Sequence, residues 1–169
     1  MRRRQVLLGI AALPLGACGG RRAAIGADGL PVQTVYEIDD EVAARIPFRM
    51  LDGVNALRTA AGIPTLALDA QLNAAAETHS IDMARQNRPW HFGSDGSSPI
   101  DRLRRVGFTA PLVGETIAES YETELQTLAA WMEQADTRDV IMDPAARRLG
   151  VAWYQEPAGK IWWTMVLAA

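Results

Sequence analysis

The chain has 169 residues, is 49% hydrophobic and carries a formal charge of −3. That size suits one domain with a core of ordinary scale. The composition excludes a wholly disordered chain. No apolar run is long enough to span a bilayer as a helix. One cysteine, Cys18, excludes an intramolecular disulfide, and His79 and His91 are the only histidines.

At the N-terminus Arg2, Arg3 and Arg4 precede an apolar run from Val6 to Leu15, which ends in Leu15-Gly16-Ala17-Cys18. A basic segment, a short apolar segment and small residues before a cleavage point are the pattern of an export signal over residues 1–17. Leu15-Gly16-Ala17-Cys18 resembles the bacterial lipobox, which makes Cys18 the expected site of lipidation and the first residue of the mature protein. Two or three acyl chains hold such a protein firmly on a membrane, at about 0.8 kcal/mol per buried methylene. The arginines with Gln5-Val6-Leu7 resemble a twin-arginine export motif, although Arg2 stands where serine or threonine is usual, so the export route stays open. Loss of the three arginines leaves 14 basic against 20 acidic groups, or −6. That balance, with export, argues against a nucleic-acid partner.

Residues 18–40, with Gly19, Gly20, Gly26, Gly29 and Pro31, read as a tether with one short strand near Val32–Ile38. A domain over 41–169 follows. Phe48, Leu51, Val54, Asn55 and Arg58 recur at helical spacing up to Gly62. Asp69 is the expected N-cap of a second helix whose buried face holds Leu72, Ala75, Ala76, His79 and Met83. Gly93 to Pro99 is a loop by composition. Ser98, Pro99 and Asp101 then open a short helix to about Arg105. Thr123 and Gln126 form a capping-box pattern for a helix through Leu128 and Met132. Residues 112–120, 147–155 and 160–167 read as strands, the last two joined by Glu156-Pro157-Ala158-Gly159. The whole reads as α+β, with helices packed on an antiparallel sheet.

Several residues recur here in a familiar order: Asn55 and Arg58 in the opening helix, His79-Ser80 with Met83, His91, the loop Gly93 to Pro99, Arg102, Gly107-Phe108, Gly114-Glu115, Trp131 and Trp163-Thr164. In this order the chain resembles the CAP superfamily of cysteine-rich secretory proteins, also called SCP-like domains, in its bacterial branch, over roughly residues 48–167. The resemblance implies an α-β-α sandwich with a three-stranded antiparallel sheet between helical layers. It also implies a cleft lined by two histidines and two acidic residues, which binds a divalent cation in some members. His91 matches the first cleft histidine and Glu115 the glutamate of the Gly-Glu-Asn motif, whose asparagine is Thr116 here. Thr137 stands where the second histidine is usual, and Gln134 where animal and plant members are acidic. The implied cleft residues are thus His91, Glu115, Gln134 and Thr137. Half of the implied ligand set is missing, and two donors are few for a divalent cation; Glu133 and Asp136 are candidates to add a donor, which helical phase does not settle. No cofactor is expected.

His91 and Glu115 read either as a ligand-binding pair or as a polar pair that fixes a loop against the sheet. His79, in phase with Leu72 and Met83, reads as a packed histidine bonded to backbone. Ser94, Ser97 and Ser98 read as turn and cap residues, and no Gly-x-Ser-x-Gly elbow is present. Trp162 and Trp163, consecutive in a strand, face opposite sides of the sheet. Trp90 reads as a candidate apolar rim of the cleft. The leading expectation is a lipid-anchored envelope protein that binds a lipid, sterol-like, glycan or protein ligand without catalysis. The alternative is a hydrolase or metal-dependent enzyme using His91 and Glu115 as an acid-base pair.

Overall fold

The last strand organises everything else. β4 (Ile161–Ala168) is apolar but for Thr164, whose hydroxyl accepts from Ser80, and is buried along its whole length. It pairs antiparallel with β3 (Arg148–Gln155) on one side and β2 (Leu112–Ser120) on the other. A two-residue strand, β1 (Ala67–Leu68), adds parallel to the outer edge of β3, giving the order β1-β3-β4-β2. Because successive side chains of a strand face opposite ways, β4 serves two cores. Ile161, Trp163, Met165 and Leu167 meet Ile46, Met50 and Val54 of α1 (Asp40–Ala60), Leu128 and Trp131 of α4 (Glu124–Glu133) and Ile141 of α5 (Ala135–Ile141). Val166 and Ala168 meet Leu72, Ala75 and Ala76 of α2 (Ala70–Gln86), Leu103 of α3 (Pro99–Arg105) and Phe108. The computed structural model describes residues 35–120 and 122–169, and Val35–Ala169 forms one unit. The expected export signal, Cys18 and most of the expected tether lie outside the described residues.

Local chemistry sets the helix ends. Asp69 accepts from the amides of Gln71 and Leu72, and α2 ends at Asn87 in the left-handed conformation (φ 47°). Ser98 with Asp101 and Thr123 with Gln126 both close reciprocal capping boxes, and Pro99 opens α3. α2 lies so close to β3 that a Cβ on Gly150 would sit 2.2 Å from the carbonyl carbon of Leu72. Asn73 of α2 then accepts from the amide of Val151 at 2.8 Å. Arg58, fully buried in α1, donates to four carbonyls, those of Pro64, Ile141, Asp143 and Ala146, and so ties α1 to the turn after α5.

Four expectations change. The first helix begins at Asp40 rather than Phe48: Asp39 accepts from the amide of Val42, and Ile46 and Met50 share a buried face across Pro47. Burial on either side outweighs the hydrogen bond that proline removes. Residues 35–38 form no strand; the side chain of Gln155 takes both of their main-chain bonds, from the amide of Ile38 and to the carbonyl of Tyr36. β1 and α5 are additions. β1 makes the sheet four-stranded and mixed around the three antiparallel strands.

Candidate functional site

The site is built on a loop between α2 and α3 whose carbonyls are taken one after another. His79, on the buried face of α2, meets the Trp90 carbonyl at 2.9 Å through Nε2. A carbonyl only accepts, so Nε2 carries the hydrogen; Nδ1 is left buried without a partner. Arg102 of α3 donates to the His91 carbonyl at 3.1 Å, and Gln86 to that of Phe92 at 3.3 Å. The His91 side chain is held as well, with Nδ1 3.0 Å from Glu115 Oε1. A carboxylate oxygen accepts, so Nδ1 is the donor and Nε2 is the free nitrogen of a ring that is 49% exposed.

Glu115 projects from β2 into this junction and is almost fully buried. Arg102 Nη2 donates to both of its oxygens, at 2.9 and 2.6 Å. His79 Nε2 stands 3.7 Å from Oε1. Burial alone would raise the Glu115 pKa, but the His91 bond and the Arg102 charge outweigh it and hold the carboxyl below its usual range. Burial holds His79 below the usual histidine value, despite the pull of Glu115, so its neutral form is the one the fold accommodates.

These contacts bear on each residue singled out in the sequence. His91 and Glu115 are brought together, and both oxygens of Glu115 are committed. Thr137 donates its hydroxyl to the Trp131 carbonyl at 2.5 Å, and Gln134 is an exposed hinge between α4 and α5. Neither side chain bonds to His91 or Glu115 among the described residues. The donor set therefore does not fit the cation site that the resemblance implies. Among the described residues no group of three or more His, Cys, Asp and Glu side chains could hold a metal ion. Ser98 donates to Asp101 and the Ser97 amide to Asp95, which are cap and turn contacts, whereas Ser94 donates its amide and hydroxyl to Asp82 and so ties the loop to α2. Trp90 lies beside the site half-buried, its Nε1 on Gln86, with the Arg88 guanidinium 3.9 Å above its ring and Phe92 at 5.7 Å. Phe92 is 48% exposed. The residue whose role sequence did not reveal is Arg102. Beyond its place in the motif order, its only signal was a charge in a short helix beside Leu103, which is also buried.

Residues 51–167 match the profile of the cysteine-rich secretory protein family, CAP. The chain belongs to this family. The uncharacterized protein YkwD of Bacillus subtilis is 29% identical over 114 residues, covering 68% of this CAP chain and 44% of that protein. The chain thus spans less than half of that relative's length. An outer surface protein from Borrelia burgdorferi superposes with a TM-score of 0.70 at 14% identity, over 80% of this chain and 98% of that one. An extracellular SCP-domain protein from Bacillus anthracis gives 0.69 at 23% identity, over 79% and 45%. Likeness at these identities shows a common CAP fold. No described helix is long and apolar enough to cross a membrane.

Proposed function

We propose that this CAP chain is an exported envelope protein, anchored by a lipid at Cys18, that binds a lipid, glycan or protein ligand at the face around His91 without chemical turnover. The observation that carries this reading is the pinned loop. Three successive carbonyls, of Trp90, His91 and Phe92, are each held by a side chain from α2 or α3. A segment fixed in this way presents His91 and Phe92 with little ordering cost left for a ligand to meet. The carboxylate that acid-base chemistry would need is meanwhile shared between Arg102 and His91.

Screening of the full chain on lipid and glycan arrays tests the binding role. His91→Ala and Phe92→Ala are each expected to weaken a specific hit at least tenfold while the circular dichroism spectrum stays unchanged. A hit indifferent to both would move the binding face elsewhere. Metabolic labelling with a palmitate analogue tests the anchor: the parent incorporates label, Cys18→Ser does not, and an unlabelled parent refutes it. A second reading, hydrolysis with His91 as general base, draws support from the free Nε2 backed by a carboxylate on Nδ1. Turnover of ester or peptide substrates that disappears in His91→Ala would establish it instead.

A further inference from the structure

Where α2 meets the β3–β4 hairpin there is a cavity of about 400 Å³, which residues 88–92 do not line. That volume lies in the range of small-ligand sites, about 300–1,000 Å³. Ile81, Ala84 and Arg85 stand three and four residues apart, so α2 presents them together. Tyr154, Glu156 and Pro157 form the rest of the wall. The hairpin side is firmly built. The Glu156 amide donates to the Lys160 carbonyl and the Gly159 amide to the Glu156 carbonyl, both at 2.8 Å. Tyr154 pairs with Trp162 across the sheet, and the Trp162 indole donates to Glu156 Oε1 at 2.8 Å. One oxygen of Glu156 is thereby fixed, and Oε2 accepts no hydrogen bond among the described residues.

The cavity holds charges of both signs that do not meet. Neither Arg85 nor Glu156 forms an ion pair among the described residues. Lys160, in the same turn, is engaged by Glu119 at 2.7 Å. Arg85 is exposed, and its planar fork suits an oxyanion held by two N–H groups. Glu156 and the exposed phenol ring of Tyr154 suit a cation. The side chains of Ile81, Ala84 and Pro157 are apolar. A primary ammonium would leave N–H donors against them without acceptors. A trimethylammonium has no N–H to leave unpaired, and its methyl groups suit an apolar wall and an aromatic ring.

We propose that this cavity binds a phosphocholine diester, with its phosphate on Arg85 and its trimethylammonium group between Tyr154 and Glu156. Such a diester is a zwitterion, so it answers both unpaired charges and adds no net charge. A soluble glycerol ester and a lipid headgroup carry this same chemistry. The site shares no residue with the face around His91, and stands or falls apart from the binding role proposed there.

The full chain, labelled with nitrogen-15, is titrated with glycerophosphocholine and followed by NMR. The Trp162 indole N–H and the amides of Arg85 and Glu156 are expected to shift together and to saturate. Glu156→Gln keeps an oxygen for the Trp162 indole but loses the charge, and is expected to weaken binding at least tenfold. Arg85→Gln, at an exposed position, and Tyr154→Leu are expected to do the same, whereas Tyr154→Phe binds like the parent. Glycerophosphoethanolamine, with the same phosphate but three N–H groups, is expected to bind at least tenfold more weakly. Cosedimentation of the Cys18→Ser chain with phosphatidylcholine vesicles, lost on adding Glu156→Gln, assigns the lipid headgroup as the source. Soluble binding with the vesicles left bare assigns the free ester. No shift at millimolar glycerophosphocholine, equal binding of the ethanolamine ester, binding indifferent to Glu156→Gln, or shifts confined to residues 88–92 would overturn the proposal.

Discussion

Glu115 is a carboxylate taken almost wholly out of water and surrounded by one arginine and two imidazoles. Such a group is tolerable only when it is paired and hydrogen-bonded, and here both oxygens accept, Oε1 from His91 and Arg102 and Oε2 from Arg102. Taking away its charge leaves Arg102 buried without a counter-ion, which costs about 3–5 kcal/mol for pairs of this kind. His79 makes the same junction sensitive to acid. Its folded pKa lies below the unfolded value, so the unfolded chain takes up its proton first and stability falls as pH drops. That loss begins near the ordinary histidine value, about 6.5, and runs down through the folded pKa. Glu115, also depressed, has the same sign, but its loss begins only near about 4.3, in the ordinary glutamate range. The two windows are therefore separable. Urea midpoints are expected to fall between pH 7 and pH 5 in the parent, and to fall less in His79→Gln, whose side-chain amide still donates to the Trp90 carbonyl. Equal slopes in the two proteins would show that His79 does not carry this dependence.

Between elements, α2 and β3 approach closely at Gly150. A Cβ there meets backbone atoms of Leu72 and Asn73 at 2.2 and 2.4 Å, and backbone cannot turn aside as a side chain does. Gly150→Ala must push α2 off the sheet and strain the bond from the Val151 amide to Asn73. The expected cost is about 3 kcal/mol or more, at the upper end for overpacking, read as a drop in urea midpoint. A stability within error of the parent would mean that α2 slides freely. The same contrast, local chemistry against tertiary contact, decides what could be read from sequence. The caps at Asp69, Ser98 and Thr123 were legible because each rests on a side chain and an amide two or three residues apart. α5 was not, because Gln134 supplies no side-chain cap. β1, two residues long, is too short to show a period. The start of α1 is hidden in the sequence because its first two turns lie before a proline, and only burial against the sheet shows that the helix runs through it. At the site, the pairing of His91 with Glu115 and the backbone bond of His79 follow from motif and helical phase. The clamp by Arg102 depends on α3 packing against α2 so that the arginine reaches Glu115 of β2, which no local pattern encodes.

Over the whole domain, one strand has to satisfy two cores. Trp163 packs towards α1 and α4, while Val166 lies in the α2 cluster, and both belong to β4. No disulfide supports either side, since the single cysteine is Cys18, so neither layer has a covalent staple to hold it once the strand is lost. Releasing α2 would expose one face of β4, and releasing α1, α4 and α5 the other. Neither half has a sheet of its own to keep, and the domain should unfold in a single transition. Far-ultraviolet circular dichroism and tryptophan fluorescence are expected to give the same urea midpoint. Leu72→Ala, in the α2 cluster, is expected to cost about 2–5 kcal/mol, and Ile141→Val, on the other side, about 0.5–1.5 kcal/mol. The two sites share no cluster, so their costs should add within about 0.5 kcal/mol, each lowering the same transition. If Leu72→Ala instead splits the unfolding curve, leaving a tryptophan-fluorescence transition at the parent's midpoint, the two layers are separate folding units and β4 does not couple them.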